Sequence, residues 1–220
     1  MPNRKWLIGS AVLAAAVFAL MWIGYTQRWS WVTAMDSAAL EACYRFGAAH
    51  PGWVRAWDVY CTVLGPTVLR LVGVVVIVVA LVRRHVRTAV FLVLTVELCG
   101  LVLVLAKAFA DRPRPSTALV DALSSSFPSG HAMGLMVCVP AYLVVLLPMV
   151  RPAARGWAIA VGVVVILTIG AGRVVLNVHH PSDVVAGWAL GYAYFVGCLL
   201  LYPPRVSRVA GTPAALGTAR

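Results

Sequence analysis

Six runs of strongly apolar residues limit this chain more than any other feature. They are Trp6–Tyr25, Pro66–Val82, Thr88–Phe109, Ala132–Val150, Gly156–Leu176 and Val184–Tyr202. Each is close to the ~20 residues that carry a helix across a hydrocarbon core. Backbone in lipid must pair its own N–H and C=O groups, which leaves helices or a closed barrel. The runs are continuous rather than alternating with period two, so they read as helices. With 62% hydrophobic and 11% charged residues in 220, a soluble domain could not bury the apolar surface. The expectation is an all-α polytopic membrane protein, a six-transmembrane-helix bundle forming one domain over residues 1–202. Residues 203–220, rich in Pro, Gly, Ala and Thr, read as a disordered tail.

The net charge of +11 invites a nucleic-acid reading, but topology accounts for it better. Arg4, Lys5, Arg83, Arg84, Arg87, Arg151, Arg155, Arg205, Arg208 and Arg220 fall on one side of a six-span layout. Arg28, Arg45 and Arg55 fall on the other, together with the motif cations described below. The positive-inside rule then places both termini in the cytoplasm. The first span follows Asn3-Arg4-Lys5 like a signal peptide, yet its apolar run exceeds the 7–15 residues of such peptides, so it reads as an uncleaved span. Cys99, Cys138 and Cys198 lie in spans and read as packing thiols. Cys43 and Cys61 fall in or beside the first outer loop, where an oxidising exterior would let them pair.

That loop, Gln27 to Tyr60, carries Trp29, Trp31, Trp53 and Trp57. Tryptophan prefers the membrane–water interface, so a short amphipathic segment on the bilayer is expected, with a lid or lateral gate as the functional alternative. Arg70 and Glu97 are charges inside spans, where an unpaired ion is expensive. Arg70 has Glu97 or Asp111 as candidate partners, and a proton or ion path is the sharper alternative.

Chemistry concentrates in three stretches at span ends. Lys107 ends the third span, and Arg112-Pro113-Arg114-Pro115 follows. The two prolines forbid a continuing helix, so the arginines stay near the lysine on a stiff segment. Arg can grip two phosphate oxygens with its planar fork, and Lys adds a point charge. Pro128-Ser129-Gly130-His131 precedes the fourth span. Ser129 is a good N-cap, Gly130 allows close backbone approach, and free N–H groups at a helix start favour an anion. Ser124, Ser125 and Ser126 read as loop without a role. Arg173 is followed by His179 and Asp183. A carboxylate near one imidazole nitrogen fixes the tautomer and makes the other a better nucleophile. Asp183 could equally cap the sixth span.

Lys107-x6-Arg114-Pro115, Pro128-Ser129-Gly130-His131 and Arg173-x5-His179-x3-Asp183 together resemble the three-part signature of the type 2 phosphatidic acid phosphatase superfamily, across roughly Lys107 to Trp188. The resemblance implies that His179 attacks phosphorus, Asp183 orients it and His131 protonates the leaving oxygen. It implies that Lys107, Arg114 and Arg173 hold the phosphate, with Ser129 and the Gly130 N–H assisting. Gly172 stands where the family often has serine, which would cost one phosphate hydrogen bond. His180 lacks the spacing to Arg173 and Asp183 and reads as interfacial.

The expected activity is hydrolysis of a lipid phosphate or diphosphate through a phosphohistidine, with neither metal nor cofactor. A polyprenyl diphosphate, phosphatidylglycerophosphate and phosphatidic acid are the candidate substrates, and by the resemblance and the topology an outward-facing site fits recycling of a polyprenyl diphosphate carrier best. The expected setting is the bacterial plasma membrane with the site on its extracytoplasmic face, and no nucleic-acid partner. A transporter or channel on the same helices and a vanadate-dependent peroxidase are the competing readings.

Overall fold

The computed structural model describes residues 3–122 and 124–204, and the described chain is helical without strands. The tail expected to be disordered lies, from residue 205 onward, outside the described residues, as do Arg205, Arg208 and Arg220. Helix α1 (Arg4–Thr26) starts where Asn3 Oδ1 accepts from the Lys5 N–H at 3.0 Å. Then come α2 (Ser30–Ala49), α3 (Pro51–Val63), α4 (Pro66–Val82), α5 (Val86–Leu92) and α6 (Cys99–Ala110). After a long loop follow α7 (Gly130–Leu146), α8 (Pro152–Val175) and α9 (Pro181–Leu201). Among the described residues, six segments are long and apolar enough to span a membrane. Many large apolar side chains on them, such as Leu13, Val75, Val104 and Trp157, are exposed, as a lipid-facing surface requires.

The helices agree with the expected runs to within a few residues, and all but α4, which begins at Pro66 as expected, start earlier. Pro152 and Pro181 each occupy the first turn, where a missing N–H costs nothing. Hydropathy alone put those starts at Gly156 and Val184. The Trp-rich outer loop is not one short interfacial segment. It folds into α2 and α3, because Pro51 opens a second helix after His50, and Pro66 forces the break before α4. Between α5 and α6 the helix widens into a π turn at Val93–Glu97. That turn releases carbonyls: Leu94 O accepts from Tyr194 Oη, and Glu97 O from Arg70.

Helix α9 lies between α1 and α7 and fixes their spacing. A Cβ on Gly187 would sit 2.6 Å from Ser129 O, and one on Gly191 2.7 Å from Met133 O. Small residues four apart thus let two backbones touch, as membrane helix pairs do. Gly187→Ala should therefore destabilise the purified protein by about 1–3 kcal/mol, as overpacking does. Gly197→Ala, with no neighbour within 4 Å of the new methyl, should leave the melting temperature unmoved. Thermal melts of the two variants in one detergent check this.

Two buried clusters support one end of the bundle. Cys61, Leu135, Ile169, Leu176 and Val178 pack beneath the α8–α9 turn. Met21, Ala110, Phe127 and Ala186 pin the long loop against α1 and α9. At the other end lie the loops carrying Arg83, Arg84 and Arg151, the start of α1 and the end of α9, where Arg87 Nε donates to Pro203 O at 2.8 Å.

Candidate active site

The α8–α9 turn is where the third motif acquires its shape. Helix α8 stops at Val175, and Asn177 takes a left-handed conformation (φ 55°), which asparagine tolerates better than most residues. The Val178 and His179 N–H groups then both donate to Arg173 O. This aims the His179 ring at a cavity of about 420 Å³. The cationic end of that cavity is lined by Lys107, Arg114, Gly130, His131, Arg173 and His179. Residues from the ends of α6, α7 and α8 and from both connecting loops thus converge.

Each cation is held differently. Lys107 Nζ donates to Ser125 O. Arg114 donates from Nε to Ser124 O at 3.0 Å and from Nη1 to Val178 O at 2.6 Å. Its Nη1 is also 3.3 Å from His179 Nε2. Burial, then the nearby Arg173, lower the Arg114 pKa without threatening its charge. Arg173 is 7% exposed, and its Nε has no hydrogen-bond partner among the described residues. A buried guanidinium left short of acceptors beside a cavity is suited to an anion.

His179 is 2% exposed, and burial pushes its pKa down to about 4. Asp183 opposes that shift, and Arg114 and Arg173 reinforce it. The ring is therefore neutral at pH 7. Its Nδ1 lies 3.5 Å from Asp183 Oδ2 and 3.5 Å from Ser126 Oγ. Facing the carboxylate, Nδ1 takes the proton and Nε2 keeps a lone pair toward the cavity.

Asp183 is fully buried and crowded with donors. Its Oδ2 accepts from Ser126 Oγ, from the His180 N–H at 2.8 Å, and lies 3.1 Å from His180 Nδ1. Its Oδ1 accepts from Arg112 Nη1 at 2.6 Å. Asp183 is not the N-cap of the sixth span: His180 is, and Asp183 reaches back to it from the third helical position. Nor is His180 merely interfacial, since its ring is tied to the same carboxylate.

Arg112 also departs from expectation. It stays buried behind the site rather than joining Lys107 in the cavity. It bonds Asp183, Ser182 Oγ at 2.7 Å and Asp36 Oδ2 at 2.8 Å, with Tyr25 stacked 4.5 Å from its guanidinium carbon. Ser129 acts as N-cap of α7, its Oγ accepting from the Ala132 N–H at 3.5 Å, and it does not line the cavity. Arg70 pairs with Glu97, not Asp111, at 3.3 Å. Cys43 and Cys61 are free thiols.

Gly172 has a packing reason. A Cβ there would lie 2.6 Å from Cys61 Sγ and 2.8 Å from Trp57 Cε3. Neither neighbour lines the cavity, so a serine at 172 would collide with α3 rather than reach a phosphate there.

Asp36, Ser126 and the buried role of Arg112 were not readable in advance. Ser126 is one of three consecutive serines, and Asp36 sits on an amphipathic helix far from any motif. One signal existed: with seven acidic residues against 18 basic ones, every acidic side chain was worth pairing with a motif cation.

Comparison with known proteins bears on the same segment. Phosphatidylglycerophosphatase B of Bacillus subtilis is 39% identical over 93 residues. That stretch is 40% of this chain and 45% of the relative, so the chain spans less than half the length of the curated relative it matches. A crystal structure described as the first transmembrane PAP2 type phosphatidylglycerolphosphate phosphatase from Bacillus subtilis shares the fold. Its TM-score is 0.74, covering 87% of this chain and 95% of that one at 23% identity. The family model of the PAP2 superfamily matches residues 86–207, which hold all six residues at the cationic end of the cavity, and the chain belongs to that superfamily.

Proposed function

We propose that the protein is an integral-membrane lipid phosphatase working through a phosphohistidine at His179, without a metal. The observation that carries this is one cavity shared by the neutral His179 Nε2, three cations and His131. The catalytic unit is the bundle of residues 1–202, with the signature in residues 107–188.

The Nε2 lone pair of His179 forms an N–P bond while the P–O bond to the lipid breaks. The bound phosphate dianion favours the imidazolium form of His131, and the lipid oxygen takes the electron pair and a proton from it. Water then attacks the phosphohistidine, gives its proton to His131, and the N–P pair returns to Nε2. Lys107, Arg114, Arg173 and the Gly130 N–H stabilise the charge on the equatorial oxygens, the main demand of phosphoryl transfer. Three cations can meet that demand in place of a divalent ion. Ser129 contributes by shaping the start of α7.

The site faces the extracytoplasmic side of the bacterial plasma membrane, and both termini are cytoplasmic. Support comes from the basic loops around Arg83, Arg84 and Arg151, which lie at the opposite end of the bundle. The relatives' names favour phosphatidylglycerophosphate as substrate, with phosphatidic acid and polyprenyl diphosphate as the alternatives.

The test is phosphate release by purified protein in detergent containing EDTA, from each of the three lipids, with an alkaline quench after a radiolabelled turnover. The expected result is EDTA-indifferent release and an alkali-stable, acid-labile label on His179. Release abolished by EDTA and restored by a divalent metal would overturn the metal-independent mechanism.

A further inference from the structure

The cavity does not stop at the phosphate cations. It continues between α4, α6 and α7, where Pro66, Thr67, Arg70, Cys99, Gly100 and Met133 line it. Among the described residues, Arg70 is the one charged side chain lining this deep end, and the mechanism above gives it no task.

Its geometry is built rather than incidental. Arg70 Nε faces Glu97 Oε2 at 3.3 Å, and Nη2 donates to Glu97 O at 3.1 Å. That carbonyl is available because the π turn ends there and the Leu101 N–H donates to Leu98 O instead. Nε and Nη2 are thus occupied, whereas no described residue accepts a hydrogen bond from Nη1. Gly100 borders Nη1: a Cβ there would be 3.4 Å away, so glycine keeps the nitrogen uncovered. The Arg70 side chain is 43% exposed although it lies within a span, and it lines the cavity. Glu97 fixes the fork at one edge and leaves the other edge for a ligand.

Position says which ligand. Gly100 and Lys107 are seven residues apart on α6, so Arg70 meets the cavity about 10 Å deeper than the first motif cation. Two phosphates joined through one oxygen would both fall within the ring of Lys107, Arg114 and Arg173. Two phosphates separated by a three-carbon glycerol would not. In such a lipid the phosphodiester is also the group nearer the acyl chains, hence the deeper one.

Resting on the phosphatase reading, we propose that Arg70 binds a second, internal phosphate of the substrate. It thereby selects lipids carrying a terminal phosphomonoester and a spaced phosphodiester over lipids with one phosphate or an adjacent pair. This is a specificity contact, and the reacting phosphorus stays at His179.

The test compares kcat/KM for phosphatidylglycerophosphate, phosphatidic acid and a polyprenyl diphosphate in the same micelles. The proteins are the wild type, Arg70→Lys and the paired variant Arg70→Gln with Glu97→Gln, which strands no buried charge. The wild type should favour phosphatidylglycerophosphate over phosphatidic acid. In the paired variant that preference should fall roughly 10- to 100-fold, mostly through KM, as loss of a charge-assisted contact implies. The kcat/KM for phosphatidic acid should move less than threefold, and the diphosphate should follow it. Arg70→Lys, which keeps the charge without the fork, should fall between. If the paired variant does not survive purification, Arg70→Lys alone carries the comparison. An unchanged preference, or an equal loss on every lipid, overturns the assignment while leaving the phosphatase reading intact. Release from none of the lipids by folded wild type overturns that reading, and the assignment with it.

Discussion

Phosphate release by the His179→Ala protein should fall by roughly 10⁵-fold or more, the scale of deleting a covalent nucleophile from a unit that acts together. The cations would still bind the phosphate, but no group remains at the attacking position. His180 cannot replace it, because its ring turns to Asp183 Oδ2 and it lines the cavities behind the site rather than the one holding His131. His180→Ala removes one hydrogen bond and should cost less than about tenfold. Asp183→Asn should be severe, near 10⁴-fold, because an amide no longer enforces the Nδ1–H tautomer. Burial holds the His179 pKa to about 4, so the imidazole stays neutral through mildly acidic pH, and activity should be lost by its protonation only as pH falls through 4. Initial rates with each variant, alongside melting curves, check these values. A His179→Ala protein within 100-fold of wild type would show that another group attacks.

The bundle was legible because bilayer thickness sets helix length directly, and six apolar runs sufficed to count six spans. Their starts were less legible, since hydropathy ignores a polar first turn such as Pro181-Ser182-Asp183 that proline permits. Most of the cavity was legible too: Lys107, Arg114, Gly130, His131, Arg173 and His179 all line it. Local spacing carried that information because each motif sits on one helix end. What escaped was contact between distant segments. Asp36 meets Ser182 across 146 residues, and Ser126 meets Asp183 across 57, separations that no spacing rule encodes. The α2–α3 hairpin escaped for another reason. Its tryptophans satisfy the interfacial rule equally well as one segment or as two helices broken at His50-Pro51.

Arg112→Ala should be the most destabilising single change at the site, by roughly 3–5 kcal/mol, the cost of removing one partner from a buried ion pair. The buried Asp36 and Asp183 would both lose their common cation. Arg112→Lys should rescue little, because one ammonium cannot grip two carboxylates and Ser182 at once. Asp36→Asn should be milder: its amide oxygen can still accept from the Ser182 N–H, and Arg112 keeps Asp183. The expected order of melting temperature is wild type, then Asp36→Asn, then Arg112→Lys, then Arg112→Ala. An Arg112→Ala protein as stable as Asp36→Asn would contradict it. The order follows from how charge is sorted across Asp183. Behind it, one arginine bridges two carboxylates. In front, main-chain carbonyls hold Lys107 and Arg114, and Arg173 keeps a nitrogen without a partner among the described residues. Without Arg112, Asp183 would be drawn toward the cavity cations, and the cavity would lose the positive charge that attracts a phosphate. Arg112→Ala should therefore also weaken phosphate binding, read as a raised KM in the fraction that folds.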